Sequence, residues 1–140
     1  MNAKDFLLRP SQLECNIDIT ATEILKLRSQ AEKINAVLSH VVGGKGTNKD
    51  FSAVVDRIIE LEVNLERLTA EWIKATKEVQ TVIEMLPDPK KRTVLHKHYQ
   101  ENKTLVQIAG EINYTEQYVR KLHFEAINEV QEIIDKKEEQ

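Results

Sequence analysis

Cysteine, glycine, proline and aromatic residues are all scarce in this chain, and each scarcity closes off a class of protein. The single cysteine, Cys15, permits no disulfide within the chain and rules out a cysteine-rich zinc site, so a reducing compartment is the expected setting. Four glycines and three prolines among 140 residues, with 5% aromatic residues, supply too few turn formers and strand formers for an all-β fold. No apolar run approaches the roughly 18 to 20 residues of a membrane-spanning helix. Met1 to Pro10 lacks the apolar core of a signal peptide, and the protein is expected to be soluble and cytoplasmic.

Recognisable catalytic chemistry is also missing. The chain has no P-loop, Rossmann glycine pattern, nucleophile elbow or carboxylate cluster at metal-binding spacing. Gly43-Gly44-Lys45-Gly46 lacks both a preceding strand and the Lys-Ser/Thr ending of a phosphate loop. His96 and His98 are two apart, whereas two ligands on one helix need a spacing of three or four. His123 reads as an isolated ring. The expectation is therefore no enzyme, no catalytic or metal-ligating residue and no cofactor.

What is present is charge, 31% of the residues, and it is unevenly distributed. Residues 1–86 carry 11 basic and 13 acidic side chains, residues 87–121 carry 7 and 4, and residues 122–140 carry 2 and 6. The net charge of -3 thus conceals a basic segment of the kind that nucleic-acid binding requires.

Apolar residues recur in alternating steps of three and four at Phe51, Val54, Ile58, Leu61, Leu65, Leu68, Trp72, Ala75, Val79, Val82 and Leu86. That spacing, flanked by charge and free of Gly and Pro, is a coiled-coil seam. A weaker copy runs through Ile17, Thr20, Ile24, Leu27, Ala31, Ile34, Leu38 and Val41. The glycines at 43–46 break the helix between them, and Asp50 is placed to cap the second. The pattern predicts an all-α chain whose residues 1–86 form an antiparallel, coiled-coil-like helical hairpin with a Gly-rich tip at 43–46. The second helix outruns the first, so its end must be covered by the first ten to fifteen residues, by the C-terminal segment or by a second copy of the chain. A homodimer through the hairpin is accordingly one expected assembly.

Leu86-Pro87-Asp88-Pro89 ends the long helix, because Pro87 disfavours helix at the residue before it. Asp88 as N-cap and Pro89 at the first helical position then open a helix to about Gln100, with Val94, Leu95 and Tyr99 on its apolar side. From Thr104 the spacing fits a helix-turn-helix in residues 87–140. Ile108, Ala109 and Ile112 form the inner face of one helix, Asn113 occupies the turn, and Tyr114 fills the corner. Thr115 caps a second helix to about Asp135, locked by Val119 and Leu122.

The exposed start of that helix carries Glu116, Gln117, Arg120 and Lys121, the candidate base-reading residues: Arg or Lys pairs with guanine, Gln with adenine, and Glu accepts from cytosine. Lys90, Lys91, Arg92, Lys103, Thr115 and Tyr118 are the candidate phosphate-binding residues. Three cations in a first helical turn oppose the macrodipole, which phosphate contact would explain.

The Leu86-Pro87 lead-in, His98-Tyr99-Gln100-Glu101, Thr104, Ile108-Ala109, Thr115, Val119-Arg120 and Ala126 resemble region 4 of sigma-70 factors over about a third of the chain. The whole chain resembles small phage- and prophage-encoded proteins of Gram-positive bacteria, including late-transcription regulators of the ArpU type. The resemblance implies binding of double-stranded DNA near a promoter in the bacterial cytoplasm, with host RNA polymerase as a further partner. It does not imply a complete sigma factor, because no segment reads as the region that melts a promoter. Two other readings stay open, a small terminase-like DNA-packaging adaptor and a protein-interaction module that has lost DNA binding.

Overall fold

A computed structural model describes residues 1–40 and 48–139. The expected Gly-rich tip at 43–46, with Val41, lies outside the described residues. Those residues are all-helical, with no strand among them: α1 (Ala3–His40), α2 (Asn48–Glu84), α3 (Pro89–Leu95), α4 (Leu105–Ile112) and α5 (Glu116–Glu138).

Two boundaries differ from the sequence-based expectation. Helix α2 begins at Asn48, so Asp50 lies in its first turn and is not its cap. Helix α1 begins at Ala3, well before Ile17, and carries Pro10 inside it. A proline there removes one intrahelical hydrogen bond and costs about 3 kcal/mol in an ordinary helix interior. The helix persists because Ala3, Leu7, Pro10 and Leu13 continue the three-and-four spacing of the seam, and all four are buried. Thr20, the one buried polar member of that seam, donates its hydroxyl to the Asn16 carbonyl at 2.8 Å and so needs no partner elsewhere.

The chain divides into two compact units, Met1–Gln12 with Trp72–Gln140, and Leu13–Glu71. The Leu13–Glu71 unit contains parts of α1 and α2 alone. Its interior is the seam of Ile24, Leu61 and Leu68, with Ile17, Leu27, Ile34, Ile58 and Leu65 half-buried beside them. Two ion pairs join the helices, Arg28 with Glu62 and Arg57 with Glu23, the latter at 3.6 Å. Both are exposed, and such pairs contribute on the order of 0.2 to 1 kcal/mol.

The other unit has two apolar clusters. One gathers Ala3 and Leu7 of α1, Val79, Val82 and Ile83 of α2, Leu86, Leu95, Tyr99, and Ala126, Val130 and Ile134 of α5. The end of α2 is thus covered by both the first residues and the C-terminal segment. The second cluster joins Val94 of α3, Ile108 and Ala109 of α4, and Val119 and Leu122 of α5. Helix α5 serves both clusters because its inner face runs through Val119, Leu122, Ala126, Val130 and Ile134, every third or fourth residue.

The expected helix from Pro89 to Gln100 is continuous, but its last turn, His96 to Gln100, is a π-helical turn. The Glu101 amide donates to the His96 carbonyl at 3.2 Å, five residues back. This wider turn seats Tyr99 in the first cluster, and the chain then reverses through Asn102 at φ 58.

Candidate nucleic-acid interface

Local capping sets the positions of α3, α4 and α5. The Asp88 carboxylate accepts from the Lys90 amide at 2.9 Å, with Pro89 at the start of α3. At α4 the Thr104 hydroxyl accepts from the Gln107 amide at 3.2 Å, while the Gln107 side chain accepts from the Thr104 amide at 2.9 Å. This reciprocal capping box satisfies two of the amides that a helix start leaves without partners. Helix α4 stops at Asn113, which adopts the left-handed conformation at φ 60 and ψ 41 expected of the turn residue. The Tyr114 amide donates back to the Ala109 carbonyl at 3.1 Å. Thr115 then caps α5 by accepting from the Tyr118 amide at 3.2 Å.

With Val119 and Leu122 packed inward, the first two turns of α5 present Glu116, Gln117, Arg120 and Lys121 outward, and all four are exposed. Glu116 and Arg120 form a pair one turn apart, the Arg120 Nε donating to Glu116 at 3.0 Å. The Arg120 side chain is still 62% exposed. An exposed pair of this spacing contributes about 0.3 to 0.5 kcal/mol, small against the roughly 1 to 3 kcal/mol of a bidentate guanine contact, so the pair does not hold Arg120 back from a base. It does occupy Glu116. Among the described residues Lys121 and Gln117 have no side-chain hydrogen bond or ion pair.

The candidate phosphate-binding residues fall into two groups. Lys90 lies with its ammonium 5.4 Å from the Tyr114 ring centroid and 5.8 Å from that of Tyr118, and the two rings are 5.0 Å apart. Lys90, Tyr118 and Thr115 therefore gather beside the α5 start. Tyr114 is exposed and does not fill the corner expected of it, because its ring turns outward to lie against Tyr118 and under Lys90.

The other cations are engaged elsewhere. Lys91 is held by Glu129 at 2.9 Å and Glu125 at 3.5 Å, with its side chain only 14% exposed. Its pKa is raised, chiefly by the Glu129 hydrogen bond. Arg92 donates to the Leu86 carbonyl. Lys103 joins Glu111 at 2.6 Å and Glu101 at 3.9 Å, and Lys97 joins the same two carboxylates. The Glu111 carboxyl is accordingly held below its ordinary pKa, by Lys103 first and Lys97 second.

His123 is not the isolated ring that its position in the sequence suggests. It stacks on Tyr99 with centroids 5.7 Å apart, and its Nε2 lies 2.9 Å from the Tyr99 hydroxyl. The His98 ring stands edge-on 5.0 Å away, and His98 Nδ1 donates to the Lys103 carbonyl at 2.7 Å. Burial pushes the His123 pKa down to about 4, with His98 and Lys4 adding to the effect, and pushes the Tyr99 hydroxyl up to about 12. At neutral pH a neutral hydroxyl therefore meets a neutral imidazole. This cluster braces α5 against the π-helical turn. Nothing in the local sequence reveals it, because the rings are 24 residues apart.

No group of three or more metal-ligating His, Cys, Asp or Glu side chains occurs among the described residues. No helix among them is long and apolar enough to cross a membrane. Neither a curated protein nor a solved structure matches the chain. Residues 26–131, about three quarters of the chain, match the family described as "Protein of unknown function (DUF1492)", and the chain belongs to that family.

Proposed function

We propose that this protein is a sequence-specific DNA-binding regulator of phage or prophage transcription, and that α4 and α5 act as a helix-turn-helix of the sigma region 4 type. In this reading α5 enters the major groove, where Gln117, Arg120 and Lys121 meet base edges. Lys90, Thr115 and Tyr118 meet the phosphates flanking the groove. Helices α1 and α2 form the antiparallel hairpin, the element for self-association or for contact with host RNA polymerase in the bacterial cytoplasm.

The observation that carries the reading is the exposed stripe on the first two turns of α5, with two cations and an amide set opposite a fully apolar inner face. Cations, a glutamine and a capped helix start are the set that reads base edges while staying soluble when free. The carboxylates around Lys91 and Lys103 remove those two cations from the electrostatic footprint, which keeps Lys90, Arg92 and Lys121, with Arg120 paired to Glu116. Non-specific affinity should then be weak and its salt dependence shallow, with roughly 0.9 counterions released per phosphate neutralised.

Gel-shift titration of the full chain against promoter fragments and random duplex tests this. Retention of particular fragments above random duplex at moderate salt supports the reading. Equal or absent binding to all fragments refutes it.

A further inference from the structure

We infer that Phe124 is a further specificity residue, reading a thymine methyl group in the major groove; this rests on the DNA-binding reading above. Phe124 is 67% exposed, more than any other large apolar side chain among the described residues. It belongs to neither apolar cluster, so the fold supplies no reason for a phenyl ring there.

Its position supplies one. At about 100° per residue, Gln117, Arg120, Lys121 and Phe124 occupy one sector of α5 roughly 100° wide, with Phe124 near its middle. Val119, Leu122 and Ala126, all buried, lie on the opposite side. At about 1.5 Å per residue, Phe124 is some 10 Å along the axis from Gln117, or about three base-pair steps. The phenyl thus continues the same reading line.

Two kinds of occupant can cover an exposed phenyl, and the neighbours discriminate between them. A hydrophobic protein groove takes a helix through repeated apolar anchors at three- and four-residue steps. Here Arg120, Lys121 and Asn128, one turn away on the stripe, and Gln117, two turns toward the start of α5, are all exposed and polar. A lone ring among cations suits a polyanion that offers one apolar group at a defined place. In the major groove that group is the C5-methyl of thymine.

The experiment uses a duplex selected by the full chain from a random pool, and copies in which each thymine in turn is replaced by deoxyuridine, which deletes only the methyl. Affinities are measured for the unaltered chain, F124A and F124L. The inference expects one thymine whose replacement weakens binding of the unaltered chain roughly fourfold, about the value of one buried methylene. F124A should bind both duplexes equally, F124L should retain part of the difference, and the salt slope should not change in either.

A selected duplex that is insensitive to every uracil replacement, or a sensitivity that survives in F124A, overturns the inference while leaving DNA binding intact. A flat uracil series with altered self-association of F124A overturns it in favour of a protein contact. Failure to enrich any duplex removes the DNA-binding reading itself, and this inference with it.

Discussion

The two compact units share helices α1 and α2 and the same three-and-four spacing, yet they bury their apolar residues to different depths. All the largest side chains under 2% exposed, among them Leu7, Val79, Leu95, Ile108, Val119 and Val130, belong to Met1–Gln12 with Trp72–Gln140. In Leu13–Glu71 the best-covered seam residues are Ile24, Leu61 and Leu68 at 4 to 6%, and Ile19, Leu25, Val37, Ile59 and Val63 face outward. The reason is geometric. Two helices share one line of contact, whereas helices α3, α4 and α5, with the ends of α1 and α2, enclose a volume. A helix pair needs little core, whereas an enclosed cluster fixes each of its helices on several sides.

The sharpest way to break this comparison is to make equivalent deletions in the two units. Leu7→Ala should destabilise by about 2 to 5 kcal/mol in urea unfolding, because Leu7 is fully enclosed. Ile58→Ala, at a half-buried seam position, should cost about 1 kcal/mol. Equal losses would mean that a second copy covers the α1–α2 seam, and the loss at Ile58 would then grow with protein concentration.

The His123 ring gives the next largest effect, and it belongs to the enclosed unit alone. Its pKa falls from 6.5 to about 4 on folding, so the unfolded chain binds the extra proton between those values. The stabilisation from keeping the ring neutral is complete above about pH 6.5 and is lost as pH falls toward 4. Discounted for a half-buried ring, the loss should amount to about 1 to 3 kcal/mol. His123→Gln should flatten the difference between stability at pH 7 and at pH 4.5, and an unchanged slope would dismiss the buried Tyr99–His123 contact.

Thr115→Ala should cost about 1 kcal/mol by removing the cap of α5. Arg57→Ala, which removes exposed pairs with Glu23 and Glu60, should cost less than about 1 kcal/mol and still less at high salt. A larger loss at Arg57 than at Thr115 would reverse the ranking of the two units.

The features legible in the sequence were those set by local chemistry or by period. The seam from Phe51 to Leu86 is buried or half-buried at every position named. Asp88, Pro89, Asn113 and Thr115 announced themselves because a cap or a left-handed turn selects few residue types. The start of α1 was not legible, since Pro10 argues against helix locally and only the packing of Leu7 and Leu13 outweighs it. Nor was the sorting of the cations: that Lys91 reaches Glu129, 38 residues away, while Lys90 beside it rests on Tyr114 and Tyr118 depends on how α3 meets α5. The π-helical turn and the Tyr99–His123 contact have the same origin.

The most direct test of the DNA-binding proposal is fluorescence anisotropy with one selected duplex and one unrelated duplex, comparing the unaltered chain with R120A and K121A. Both side chains are exposed, so neither change should disturb folding. The proposal expects either substitution to weaken binding to the selected duplex by about 1 to 3 kcal/mol, roughly fivefold to 150-fold, and to narrow the gap between the two duplexes. Undiminished affinity and discrimination in both variants would contradict it.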